Sequence, residues 1–131
     1  MTRRIDIRND ERGQTMVEFT LVLPMLLIVL FGIVQFGIAF NNYVALTDAV
    51  RAGARTAAVS RMASNPVADA TSRVKTASGD LDPTKVNVTV TSDWVHGDDV
   101  VVTATYPYSI SLLGVIVASG NLTSKTTERV E

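Results

Sequence analysis

Glu18 stands at the lip of an oily segment. It is the last charge before Phe19 to Phe40, 22 residues with no charged side chain, and the next charge is Asp48. An ionised carboxylate is poorly tolerated in lipid unless it has a partner. The chemistry on offer is therefore ion pairing, with an amine, another cation or a headgroup. That points away from an enzyme and towards a membrane-held chain. The other titratable groups do not form a catalytic set. His96 is the only histidine, and His96-Gly97-Asp98 reads as a surface turn. Asp80 and Asp82, or Asp98 and Asp99, carry oxygens of the kind calcium takes, but without the loop length and glycine placement of a calcium loop. There is no cysteine, which excludes disulfides and thiolate metal sites. No glycine loop for a nucleotide is present, so neither a metal nor a cofactor is expected.

The elements that must hold Glu18 follow from the distribution of apolar residues. At 131 residues the chain supports one small globular domain at most. A helix over 19–40 would be about 33 Å long, which matches a hydrocarbon core of about 30 Å. Thr20, Gln35, Pro24 and two glycines are the only breaks in it. A cleaved signal peptide is the competing reading. Its apolar core would be shorter and followed by a small-residue cleavage site, whereas Asn41-Asn42-Tyr43 follows here. Arg3, Arg4, Arg8 and Arg12 precede the run, while Arg51 and Arg55 come after it. The excess leans towards a cytoplasmic N-terminus. The net charge of -1 leaves no basic footprint for nucleic acid.

Residues 1–13 read as a short charged leader, and 14–64 as one long helix containing the 19–40 span. Pro24 should kink it, because its ring meets the carbonyl of Thr20 and it has no N–H, a defect that membrane helices tolerate. From Ala45 small residues recur every four positions, at Ala49, Gly53 and Ala57, a spacing that lets elements approach closely. Such a stripe serves either packing between subunits or packing on the chain's own sheet. Asp48, Arg51 and Arg55 lie on another side of the helix, as neighbours. Gln35 in mid-span reads as a hydrogen-bonding contact to another helix. Residues 65–131 read as a small outer domain. Asn65-Pro66 caps and starts a short helix to Ser78, and Gly79 ends it. The period then changes to two. Val86, Val88 and Val90 predict one strand, and Val100, Val102, Ala104 and Tyr106 a second. Pro107 ends that strand or marks an edge. Leu112 to Ala118 reads as an apolar loop, and Leu122 to Val130 as a third strand. Trp94 and Tyr106 read as core or sheet-face aromatics. Asn87-Val88-Thr89 and Asn121-Leu122-Thr123 fit the glycosylation sequon, which matters only in a suitable secretory pathway.

Together these features resemble the TadE-like proteins, a pseudopilin or minor-pilin class of tight-adherence (Flp-type) pilus systems. The resemblance rests on Arg12-Gly13-Gln14-Thr15-Met16-Val17-Glu18-Phe19, Leu21-Val22-Leu23-Pro24, Phe31-Gly32-Ile33-Val34-Gln35-Phe36-Gly37 and Ala49-Val50-Arg51-Ala52-Gly53-Ala54-Arg55. It is densest over residues 12–60, and Leu122 to Glu131 is similar to the family's closing strand. It implies a pilin-like α+β fold: a long membrane-spanning N-terminal helix, a short helix and a small antiparallel sheet. It implies that a prepilin-type peptidase cuts after Gly13, recognising Gly13, Gln14, Glu18 and Phe19. It implies a single pass in the bacterial cytoplasmic membrane with the C-terminal domain outside. Other pilin or pseudopilin subunits and the assembly machinery would be its partners, beside the lipid bilayer. The family often has an acidic residue between Arg51 and Gly53; Ala52 stands there, so the internal salt bridge that residue would make is absent or replaced by one from Asp48.

Physics accounts for that motif. Gly13 has no side chain and a permissive backbone, which suits entry into a peptidase. After a cut, Gln14 would carry a free amine that could meet Glu18 of a neighbouring subunit. A buried carboxylate left unpaired costs several kcal/mol, so the pairing would set register more than add stability. Without assembly, Glu18 would simply reach headgroups. The alternative function is an unprocessed single-pass accessory protein whose outer domain binds a ligand or envelope component.

Overall fold

The computed structural model describes residues 8–112 and 114–131, with side chains described from residue 13 onwards. The fold is α+β: helix α1 (Arg8–Val59), helix α2 (Pro66–Ala77), and strands β1 (Asn87–Thr91), β2 (Asp99–Leu112) and β3 (Val115–Arg129). The strands form one antiparallel sheet in the order β1-β2-β3.

The 52 residues of α1 make a rod of about 78 Å. Its two halves live in different surroundings. Residues 13–31 are exposed throughout, and one helix stretch, Gly13–Val59, is long and apolar enough to cross a membrane. From Leu46 on, one face is buried at Leu46, Ala49, Val50, Ala54 and Ala57. That face packs on α2 and on the sheet. Within the sheet, burial alternates along β2, with Val100, Val102 and Ala104 turned into the core. Ala70 and Val74 of α2, with Leu81, Val86 and Val130, complete it. The opposite face of the sheet is rich in threonine, as a pleated surface turned to water should be.

Element boundaries differ from the sequence reading in three places. The helix does not wait for Gln14. It begins at Arg8 and carries Gly13 inside it, so the part of the leader from Arg8 to Gly13 is helical; residues 1–7 lie outside the described residues. Nor does α1 reach residue 64. Ser60 Oγ donates to the Thr56 carbonyl at 2.6 Å, and the Ala58 carbonyl accepts instead from the Glu131 N–H at 2.9 Å. The last turn is thus tied to the end of the sheet, and the chain turns back so that α2 can lie on α1. Asn65 caps α2 by accepting from the Ala68 N–H at 3.0 Å. Gly79 follows at φ 62, the left-handed position that favours glycine.

The third difference is the largest. Leu112 to Ala118 is not a loop. β2 continues through Pro107, and β3 starts at Val115, so the two strands form one long hairpin that turns through Gly114 at φ 85. Pro107 is tolerated because β1 pairs with β2 only as far as Thr105. Beyond that point β2 has a neighbour on one side only, and proline is confined to such edges. An irregularity between Ile110 and Ser111 shifts the register near the tip. Tyr108 pairs with Gly120, and its ring lies where a Cβ on Gly120 would stand, 3.1 Å from the nearest ring carbon.

Candidate functional site

The proposed recognition residues Gly13, Gln14, Glu18 and Phe19 all lie on α1, and all are exposed. Gln14 and Glu18 are one helical turn apart. Gln14 Nε2 donates to Glu18 Oε1 at 3.1 Å. One amide donor leaves most of the carboxylate's acceptor capacity open, so Glu18 can still take a cation or an amine. The Gly13–Gln14 bond is part of the helix. A peptidase that binds its substrate extended must first unwind this turn. Glycine is the residue that makes that easiest, since it weakens a helix interior by about 1 kcal/mol relative to alanine.

In the apolar stretch, Pro24 lies inside α1 and leaves the Thr20 carbonyl without its usual N–H donor. The Thr20 hydroxyl itself donates back to the Met16 carbonyl at 2.7 Å. Gln35 is half-buried. It lines a cleft with Ala39, Asn42 and the Tyr106 to Ser109 segment of β2, so it faces the chain's own hairpin.

The stripe Ala49, Gly53 and Ala57 is fully buried within this one chain. The reason for glycine at position 53 is α2: a Cβ there would overlap Val74 Cγ2 and lie 3.3 Å from the Ala70 carbonyl oxygen. Sequence reasoning found the stripe but not Val74, the residue that reads it. The signal was present in the spacing of Ala70 and Val74, four apart, as small or β-branched residues on one face of α2. Asp48 and Arg51 pair at 3.2 Å with both side chains about two-thirds exposed, where an ion pair contributes about 0–1 kcal/mol. Arg55 is exposed and lines an open cleft with His96, Glu128 and Glu131. His96 is exposed in its turn, and Trp94 and Tyr106 pack partly buried against the core. Trp94 has φ 56, an uncommon conformation for a bulky residue, and its N–H donates to Ser92 Oγ at 3.1 Å. Among the described residues no group of three or more acidic or histidine side chains is placed to hold a metal ion.

Residues 13–55 match the family model described as TadE-like protein. Over that stretch the chain is similar to the TadE-like proteins. The match begins at Gly13 and ends at Arg55, so it takes in the glycine, Glu18, the whole apolar stretch and the Ala49 to Arg55 element. The similarity therefore covers α1 from Gly13 to its last turn but one, and the short helix and the sheet lie outside it. No curated protein and no solved structure matches the chain.

Proposed function

We propose that this chain is a pseudopilin or minor pilin acting in assembly of a tight-adherence (Flp-type) pilus, anchored in the bacterial cytoplasmic membrane by α1. The observation that carries the reading is the family match over 13–55, because it coincides with an exposed apolar helix that has Gly13 and Glu18 at its entry. In this reading the N-terminus is cytoplasmic and the domain built on residues 46–131 is outside. A prepilin-type peptidase unwinds the turn around Gly13 and cuts after it. The new amine of Gln14 then seeks a carboxylate, and Glu18 of the next subunit is the one set at the right depth. The exposed face of Phe19 to Phe40 passes from lipid to neighbouring pilin helices. The role is structural, with no reaction catalysed by this chain.

A second reading keeps the same anchor without the cut. The Gly13–Gln14 bond is helical rather than extended, which favours an unprocessed membrane accessory that organises the same machine or binds an envelope component. Intact mass and N-terminal sequence of the membrane-extracted protein, with and without the peptidase, separate the two. A chain starting at Gln14 only when the peptidase is present supports the processed pseudopilin. A full-length chain in both samples overturns it and leaves the accessory.

A further inference from the structure

The hairpin of β2 and β3 is longer than the domain it belongs to. Its inner face lies on α1 through Val100, Val102 and Ala104, where the core is. The strands then continue along α1 towards the membrane segment. Glu131 is tied to Ala58 near the outer end of the helix, whereas Ile110 and Leu122 line a cleft with Phe36, Phe40 and Tyr43. The hairpin therefore points back at the bilayer. From Ile110 β2 has two residues still to run, to Leu112, about 7 Å of strand. That end exposes Val115, Ile116 and Val117, at 66%, 65% and 55%.

Two features of the sequence accompany this placement. No charged residue occurs from Val100 to Ser124, although Asp99 and Lys125 flank that stretch directly. The chain has three tyrosines, Tyr43, Tyr106 and Tyr108, and all of them line the clefts between the hairpin and the Gln35–Tyr43 part of α1. Tyrosine collects where a membrane meets water, its ring at headgroup depth and its hydroxyl wet. A ring of tyrosines followed by an uncharged, apolar tip is the order of chemistry met on going from water into a bilayer.

We propose that the tip of this hairpin, residues 110–112 and 114–118, enters the outer-leaflet interface as a second membrane contact beside α1. The proposal rests on the reading that α1 spans the bilayer, and it sets the outer boundary at the tip: Ile110 stands beside Phe36 and Phe40, so α1 leaves the hydrocarbon nearer Gly32 to Phe36 than Phe40. The tip stops at the headgroup–acyl boundary. β2 has no neighbour on one edge beyond Thr105, and such backbone groups need water or headgroups, which the hydrocarbon core does not offer. Val115, Ile116 and Val117 enter the apolar side of that boundary. With two contacts, the outer domain is fixed in height and in rotation about α1, so a subunit presents a defined face to its neighbours.

Because the chain has no cysteine, single-cysteine variants for spin labelling need no other change. Ile116→Cys, Phe31→Cys and Lys125→Cys are each at exposed positions, so labelling leaves the core intact. In the full-length protein in phosphatidylglycerol–phosphatidylethanolamine vesicles, the accessibility of each label to oxygen, which favours lipid, is compared with its accessibility to a water-soluble nickel complex. The expected result is an oxygen-to-nickel ratio at 116 several-fold above that at 125 and no higher than that at 31. A lipid-like ratio at 31 with a ratio at 116 equal to that at 125 overturns the proposal and leaves the span standing. A water-like ratio at 31 overturns the span reading and the proposal with it. A label at 116 shielded from both reagents and broadened by a second label assigns the tip to another copy of the chain, and overturns the lipid contact.

Discussion

At the scale of single residues, Gly53 is the position with least freedom. Helix α2 lies so close to α1 there that a side chain must displace Val74 or the Ala70 carbonyl. Overpacking of this kind costs about 1–3 kcal/mol. Gly53→Ala is therefore expected to lower the stability of the packed domain by that amount in a thermal melt. Val74→Ala in the same chain should return part of the loss, because contacting residues are not additive. Full additivity would show that the close approach is not what requires glycine. Asp82 is the residue with a pH signature. Its carboxylate accepts from the Thr84 hydroxyl at 2.6 Å and from the Thr84 N–H at 3.0 Å. The hydroxyl bond first, then the backbone bond, with Lys85 as a smaller aid, hold its pKa below the usual aspartate value. A depressed folded pKa contributes stability that is whole above the unfolded pKa and is lost as pH falls through the folded one. An NMR titration should find Asp82 titrating below ordinary aspartates, and Thr84→Val should move it upward; an unchanged titration in that variant would rule out the hydroxyl as the main cause.

At the scale of elements, the caps carry the clearest expectations. Asn65→Ala removes the one side-chain acceptor for the first turn of α2 and should cost about 1 kcal/mol in the same melt. Gly13→Ala should strengthen the helix locally by about 1 kcal/mol and so slow amide exchange around Gln14 roughly fivefold; peptidase cleavage should slow with it. Unchanged exchange would mean that this turn is not the one that opens. These elements were legible because their signals are local. Asn65-Pro66, Gly79, the four-residue stripe and the switch to alternation at Val86 each fix backbone geometry within a few residues. The helical state of Gly13 was not legible. A polar leader with a glycine reads as unstructured, yet it continues an existing helix, and propagation adds a bond per residue without the cost of a new nucleus. The long hairpin was missed for the opposite reason. Pro107 looks like a strand end from its own neighbours, and only the pairing with Asn121, fourteen positions away, shows that β2 runs on.

At the scale of the molecule, the chain is two pieces that share one helix. Every residue of the buried core lies at or after Leu46, and α1 supplies Leu46, Ala49, Val50, Ala54, Ala57 and Ala58 of it. The Glu18 site lies at the other end of α1, separated from that core by the apolar stretch and without any packed contact among the described residues to carry a signal between them. The two ends therefore communicate by position alone: α1 fixes how far Glu18 sits from the packed domain. It follows that the packed domain does not need the exposed apolar half of α1 in order to fold, but does need the rest of it. A fragment of residues 41–131 should be soluble and melt cooperatively in circular dichroism. The tip at Val115 to Val117 is then its main exposed apolar patch among the described residues and its main liability for association. A fragment of residues 65–131 loses six core side chains and one whole layer, and should not fold, since a sheet needs its apolar face covered. A cooperative melt of the shorter fragment would show that the α1 layer is dispensable. α1 would then be an anchor only, with no part in the outer core.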